Sequence, residues 1–534
     1  MVSSEFQPLV EDLASATGLR TSRQDKNELA SLALRVVSKR QPTKRRSLIE
    51  GLKSPGEGRY IVAPLLYQQS AGPSVRSSLR SIEQTLRSKI VRSAEETGPK
   101  VLRLSALEAA LIKERYPALL VEPDVQHSLA RTPLYSSIEP VQVPASASKT
   151  LKIEVRGNGA PLPQARVVVL VNVQTKEGYE GTTGPDGTLQ LSVRSSDSQF
   201  PRIVAIPFAG FWSRTWTDVD FSSSLTLDVE PLKVDGFDWG LAATQAMERG
   251  QRGGRGIKVG VIDSGIGPHG SLNVAGGKNL IEGEPSDDWH DRDGHGTHCA
   301  GVVAALAVTA STWGYAPNVE LYGLRVFGGP DGGGHSSIIA EAIDWAIEAG
   351  CDVISMSFTS ETPSSFLRNK IEKATDRGVL CVAAAGNEGG EVGYPAKFRS
   401  VIGVSAIGKK ETFPESSIHG EAVSGIWSRD REYFFAAFSN RGEEIDLCAP
   451  GVAVTSTLPS DRFSAWDGTS MACPHVAGIA ALALEASPDI LQAPKDAERM
   501  GLLGDRVLGL CTDLGMPAQC QGSGFPRLGS LFSA

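Results

Sequence analysis

Apolar and polar positions change their spacing along this chain, and each change predicts a different kind of element. From about residue 58 to 129, short apolar runs alternate with helical spacing. Arg59-Tyr60-Ile61-Val62-Ala63-Pro64, Pro99 to Leu104 and Ala118-Leu119-Leu120-Val121-Glu122-Pro123 read as strands, and Ser74 to Val91 and Leu107 to Arg115 as helices. One further strand in the gap would complete a split βαβ layout. From about 150 to 232 the alternation has period two, in Leu151 to Val155, Ala165 to Val173, Leu189 to Val193 and Leu225 to Val229, with a turn at Gly184-Pro185-Asp186-Gly187. That pattern predicts a small antiparallel β-sandwich.

Beyond Val234 the pattern becomes α/β. Buried strands at 257–263, 318–326, 352–358, 378–385 and 401–406 alternate with helical segments at 295–308, 336–349 and 364–377, which predicts a doubly wound parallel sheet. The division expected is therefore a basic, helical N-terminal extension (1–57), an α+β domain (58–130), the sandwich (150–232), the α/β domain (236–490) and a Gly-rich C-terminal tail (491–534). The basic groups Lys39-Arg40 and Lys44-Arg45-Arg46 read as a solvated helical face.

With 534 residues the chain exceeds what one hydrophobic core serves. Its formal net charge of -8 and ordinary apolar and charged fractions give no sign of a nucleic-acid partner. Met1 to Pro8 has neither a basic nor an apolar secretory region, so the location expected is cytoplasmic, with leaderless export as the open alternative. No apolar run approaches the ~18 residues of a membrane span. The seven cysteines show no metal-ligand spacing. Most read as small buried hydrophobes, and pairing is open only to Cys511 and Cys520.

The candidate chemistry lies in the α/β domain. Gly468-Thr469-Ser470-Met471-Ala472 sets a serine between a glycine turn and an apolar helix. A serine hydroxyl becomes a nucleophile only with a positioned base, a group to orient that base and donors for the developing oxyanion. Asp263 ends the strand that begins at Ile257, His295 starts a helix in Asp293-Gly294-His295-Gly296-Thr297-His298-Cys299, and Asn387 follows the strand 378–385. Asn387 is the natural amide donor, and Cys299, one helical turn beyond His295, is expected beneath the imidazole.

These four segments, in the order Asp, His, Ser, resemble the subtilase family of serine peptidases, and the His-Gly-Thr-His-Cys-Ala-Gly form resembles the proteinase K branch. The resemblance covers roughly residues 236 to 485. It implies a serine endopeptidase with Asp263, His295 and Ser470 as triad and Asn387 in the oxyanion hole. It also implies that Gly332, Gly333 and Gly334 on one side and Ser357, Phe358 and Thr359 on the other hold an extended peptide. Ala384, Ala385 and Gly386 would wall the primary specificity pocket, with Gly393 at its base. Thr359 stands where subtilisin-like sequences carry glycine, which narrows the pocket entrance.

Residues 58–130 resemble a subtilase propeptide, a module that assists folding and inhibits the enzyme by laying its tail along the cleft. The sandwich resembles carboxypeptidase regulatory-like domains. An activation cut then falls either around His127 to Thr132 or near Gly250 to Gly256. The partners implied are a protein or peptide substrate and the chain's own propeptide. No cofactor or metal is assigned: calcium is possible for the family, but His269-Gly270-Ser271-Leu272 lacks the acidic residue of its usual site. Residues 409–435, with Trp427 and Tyr433-Phe434-Phe435, look inserted. The competing reading is a catalytically silent subtilase-like scaffold that binds peptides.

Overall fold

Ile61, Val62 and Ala63 are all buried, so the strand Gly58–Pro64 is covered on both faces, as the unbroken apolar run requires. The computed structural model describes residues 57–65, 72–93, 95–130, 138–220, 224–234, 238–249, 252–307, 313–329 and 332–531. The N-terminal extension expected over residues 1–57 falls, but for Glu57, outside them. Two compact units are present: one gathers the described residues up to Gln126 with His335–Ala340 and Pro363–Lys373, the other the remainder.

In the first unit Gly58–Pro64 lies between Lys100–Leu104 and Leu119–Pro123, with Ile90–Ser93 outside Lys100–Leu104, all antiparallel. Val62, Leu79, Ile82, Leu102, Leu104 and Leu119 share one core, while Ile61 and Ala63 on the other face meet Ala340 and Phe366. The helix expected over Ser74–Val91 is shorter, Pro73–Thr85, and Ile90–Ser93 supplies the missing strand. β-branched Ile90 and Val91 favour a pleated edge over a helix end. The second helix, Ala106–Arg115, starts with a reciprocal cap between Ser105 and Glu108. Glu122 accepts from Ser364 Oγ (2.7 Å), Ser365 N–H (3.1 Å) and Phe366 N–H (2.9 Å), and Asp124 from Ser337 N–H (2.9 Å) and Oγ (2.8 Å). Two carboxylates thus serve the amides at two helix starts, where the macrodipole favours negative charge.

Among the described residues the second unit carries a five-stranded, a four-stranded and a nine-stranded sheet and three two-stranded ribbons. A five-stranded sheet (order 214–220, 199–206, 166–172, 177–182, 139–140) faces a four-stranded sheet built on Ser148–Gly157, and residues from both, among them Ile153, Val167, Phe200 and Leu227, form one apolar cluster. The pairing is mixed and not purely antiparallel as the alternation suggested. Ser224–Val229 runs parallel to Lys152–Gly157, and Glu177–Gly178 parallel to Glu139–Pro140. Period two reports which face is buried and carries no strand direction.

The large sheet has nine strands. Val274–Asn279, Glu320–Arg325, Lys258–Asp263, Val353–Met356, Leu380–Ala384 and Val401–Lys409 are parallel in that order, and Leu447–Pro450 runs parallel to Val401–Lys409. The stretch 409–435 and its continuation form an antiparallel hairpin, Val423–Trp427 with Tyr433–Ala436, that extends this sheet. The helix beginning at His295 ends at Ala304, short of the expected 308. The supposed Gly-rich tail is structured: the helix Ala497–Leu508 follows, and Leu503, Val507, Leu510 and Leu528 join the same core as the central helix Thr469–Glu485. Its helical apolar spacing outweighs its glycines. All seven cysteines are unpaired, Cys511 and Cys520 included.

Candidate active site

Asp263 sits at the carboxyl end of the strand Lys258–Asp263, between Glu320–Arg325 and Val353–Met356, where an open α/β sheet leaves a crevice. It is fully buried, and its Oδ1 accepts His295 Nδ1–H at 2.8 Å and Ser264 N–H at 2.7 Å. The carboxylate acceptor places the proton on Nδ1 and leaves Nε2 as the basic nitrogen. His295 Nε2 has no hydrogen-bond partner among the described residues.

His295 is the first residue of its helix, after Gly294 with a left-handed φ of 104°. The free amides of its first turn go to side chains: His295 N–H to Asp293 Oδ1 (3.2 Å), Gly296 N–H to Ser264 Oγ (2.9 Å) and Thr297 N–H to Asp291. Asp291 accepts from the N–H groups of Asp293 (2.9 Å), Gly294 (2.8 Å) and Thr297 (2.9 Å), and from the hydroxyls of Thr297 (2.6 Å) and Ser264 (3.0 Å). Burial pushes the Asp291 carboxyl above its ordinary range, and the bonds from Thr297 and Gly294 oppose that. The helix approaches the strand closely: a Cβ on Gly296 would lie 2.1 Å from the Gly265 carbonyl. One turn on, His298 Nε2–H faces the carbonyls of Val454 (3.1 Å) and Ser464 (3.2 Å), and burial lowers its pKa to about 3.

Ser470 lies in the first turn of the helix Thr469–Glu485. Its hydroxyl has two carbonyl acceptors, Ala130 O at 2.7 Å and Ser357 O at 2.9 Å. Pro474 stands inside the helix and has no N–H, so the Ser470 carbonyl lacks its helical donor. Ser357 Oγ–H (2.9 Å) and Cys299 Sγ–H (3.4 Å) take that place. Cys299 Sγ also lies 3.8 Å from His295 Nδ1, beneath the imidazole as expected. Burial pushes the Cys299 thiol well above its ordinary range, and Asp263, His295 and Cys299 lie close together. In the loop 269–272, His269 Nδ1 accepts Ser271 N–H at 3.0 Å and Asp461 Oδ1 accepts Gly270 N–H at 2.6 Å.

Asn387 donates through Nδ2 to the Ala130 carbonyl, the acceptor that also receives Ser470 Oγ–H. Its amide orientation follows from Thr469, whose N–H (2.9 Å) and Oγ1–H (2.8 Å) both donate to Asn387 Oδ1. Gly386 N–H in turn donates to Thr469 Oγ1 at 3.1 Å. Thr469 and Asp291 are positioning residues that the sequence reading missed. The available signals were adjacency to Ser470 and a carboxylate one turn before His295.

Residues 127–130 occupy the cleft as an extended strand. Ser128–Leu129 pairs antiparallel with Phe358–Thr359, Ala130 N–H donates to Ser357 O at 3.1 Å, and His127 N–H donates to Gly334 O at 2.9 Å. Of the three glycines expected at this edge, Gly334 bonds the strand. The Gly332 carbonyl accepts Gly328 N–H at 3.2 Å, and Gly333 bridges Phe327. Ala384, Ala385 and Gly386 are buried, and Gly393 N–H donates to Ala385 O at 2.9 Å, which joins the expected pocket base to its wall.

The family model described as the subtilase family matches residues 254–500. An alkaline protease of Alkalihalobacillus alcalophilus is 41% identical over 253 residues, 47% of this chain and 60% of that protein. Subtilisin Savinase of Lederbergia lenta is 40% identical over 253 residues, covering 47% and 85% respectively, and Subtilisin DY of Bacillus licheniformis is 40% identical over 256 residues, covering 47% and 84%. The match thus spans less than two thirds of the alkaline protease. These relatives overturn the cytoplasmic location expected from the first residues, since subtilisins are secreted extracellular proteases. No helix among the described residues is long and apolar enough to cross a membrane.

Proposed function

The chain belongs to the subtilase family, and from that premise we propose that it is a serine endopeptidase working through Asp263, His295 and Ser470, made as a precursor that cuts its own chain between Ala130 and Arg131. The observation that carries this reading is the Ala130 carbonyl, bonded by the Ser470 hydroxyl at 2.7 Å and by the Asn387 amide. A nucleophile and an oxyanion donor converging on one carbonyl is the arrangement acyl transfer needs.

In the reaction His295 Nε2 takes the Ser470 proton as Oγ bonds the carbonyl carbon. The negative charge that develops on the carbonyl oxygen falls on the Asn387 N–H, while Asp263 holds the imidazole tautomer and stabilises its cation. The C–N bond then breaks and the imidazolium protonates the leaving amine of Arg131. Water, deprotonated by the same imidazole, frees Ser470 from the ester. Substrates bind as residues 127–130 do, by strand addition to Phe358–Thr359.

Residues 58–130 act as propeptide and intramolecular inhibitor. The reading is supported by the strand 127–130 lying along Gly334 and Ser357–Thr359, and by Glu122 and Asp124 at the amides of 365–366 and 337. The two-sheet module, a sandwich of the regulatory-like kind, stays with the peptidase after the cut. Arg202 pairs with Glu421 at 2.6 Å, Thr215 N–H donates to Ser416 O at 2.7 Å and Gly210 N–H to Phe463 O at 2.8 Å. The alternative cut near 250–256 has less support. Gly254 N–H is held by Glu485 at 2.8 Å, at the far end of the helix that begins beside Ser470. Fifteen residues of helix separate Glu485 from Ser470 by about 22 Å.

Intact mass and N-terminal sequencing of the wild type beside Ser470→Ala test this. The wild type is expected to yield a product beginning at Arg131, and the variant to remain at 534 residues. Two uncut chains, with no labelling of wild-type Ser470 by a fluorophosphonate, would favour the silent scaffold.

A further inference from the structure

The place where the family resemblance puts the primary specificity pocket is filled by a side chain of its own wall. Ala130, the residue whose carbonyl faces Ser470, is 2% exposed, and its N–H is fixed to Ser357 O. The segment that carries Gly393 is tied to both sides of the recess. Gly393 N–H bonds Ala385 O at 2.9 Å, Ser360 N–H bonds Tyr394 O at 2.9 Å, and Tyr394 N–H bonds Ser360 O at 2.8 Å. Between these walls lies the Thr359 side chain. A Cβ built on Gly393 would stand 2.0 Å from Thr359 Oγ1 and 3.4 Å from its Cβ. The hydroxyl therefore fills the space directly over the base of the recess, and Thr359 is only 6% exposed.

Rotation does not empty that space. Threonine carries two heavy atoms on Cβ, so a change of χ1 exchanges hydroxyl for methyl or meets the backbone, and its χ1 freedom is restricted. The neighbouring side is equally closed: a Cβ on Gly386 would meet Asn440 Nδ2 at 2.3 Å and Glu388 Oε2 at 2.8 Å. Those two groups bond each other at 2.8 Å, and Asn440 Nδ2 also reaches Ala385 O at 3.3 Å.

We propose that Thr359 restricts this enzyme to peptide bonds that follow a small residue, glycine, alanine or serine, and that Ala130 is cut as one of these. The inference rests on the peptidase reading and names the substrate class of the same site. A leucine or phenylalanine in this position has to displace a buried, hydrogen-bonded wall, whereas an alanine displaces nothing.

Tetrapeptide p-nitroanilides identical except for the residue before the anilide test it on the processed enzyme. The expected kcat/KM ratio of alanine to phenylalanine is at least ~50, and Thr359→Gly lowers it ten-fold or more, chiefly by raising the phenylalanine value. A second route uses the full chain and needs no added substrate. Ala130→Phe should slow self-processing, and Thr359→Gly in the same chain should restore it, while Thr359→Ser should not. Comparable turnover of both anilides by the wild type, or a ratio unmoved in Thr359→Gly, overturns the proposal while leaving the peptidase reading intact. Absence of fluorophosphonate labelling at Ser470 overturns both.

Discussion

The Ser357 hydroxyl donates to the Ser470 carbonyl at 2.9 Å, in the position where a helical N–H would stand if residue 474 were not proline. The proline thus frees an acceptor in the nucleophile's own peptide unit, and a buried hydroxyl from the substrate-binding edge takes it. Ser357→Ala is expected to cost about 1–2 kcal/mol of stability, the range for a buried acceptor losing a partner. It should also lower kcat several-fold with little change in KM. In a Pro474→Ala background, where a backbone N–H serves the same carbonyl, the loss should shrink. Equal losses in both backgrounds, read by urea midpoints, would remove the proposed link.

Asn387 presents its N–H correctly only because Thr469 holds the other end of the amide. Asn387→Ala is expected to reduce kcat by about 10^2 to 10^3 with KM nearly unchanged, the size found for an oxyanion donor in subtilisin. Thr469→Val keeps the backbone donor but loses the hydroxyl, and should reduce kcat about ten-fold, in keeping with one lost orienting bond. Thr469→Ser retains the hydroxyl and should stay close to wild type. A KM effect in place of a kcat effect would argue that these groups bind ground-state substrate.

His298 gives a pH dependence of stability whose sign follows from its burial. Its folded-state pKa is lowered from 6.5 to about 3. Below pH 6.5 the unfolded chain binds a proton that the folded chain refuses, so stability falls as pH drops from 6.5 towards 3 and is untouched by this group above that window. The slope approaches ~1.4 kcal/mol per pH unit within the window. His298→Gln keeps a donor for the Val454 and Ser464 carbonyls and should flatten the decline between pH 7 and 4.5. Urea midpoints in a Ser470→Ala background, which prevents self-digestion, provide the measurement.

Arg499 makes the C-terminal segment part of the peptidase fold. It is 1% exposed and donates to Asp352 Oδ1 (2.9 Å), Gly378 O (2.9 Å) and Ile490 O (3.1 Å). Arg499→Ala leaves Asp352 buried with weaker compensation and is expected to cost ~3–5 kcal/mol. Truncation after residue 490 should give insoluble or unprocessed chain. A soluble, self-processing truncation would return residues 491–534 to the status of a tail.

Much of the catalytic layout was legible before any coordinates. Asp263, His295 and Asn387 each stand where an apolar run meets glycine, so strand tips and a helix start could be read from local pattern. Ile90–Ser93 was absorbed into a helix because helical and strand periods overlap in short apolar stretches. The segment after 490 was misjudged because its glycines were weighed above the helical spacing of Leu503, Val507 and Leu510.

Local pattern singled out the candidate residues and the elements that carry them, since periodicity and turn residues are local properties of the chain. Which carbonyl meets Ser470 follows from packing between distant segments, because Ala130 lies 340 residues away and its place depends on the register of Ser128–Leu129 against Phe358–Thr359. The same holds for Ser357 and Cys299 at the carbonyl that Pro474 leaves open. Each of these is a contact between elements far apart in the chain, fixed by packing at a few ångströms, and no local spacing encodes it.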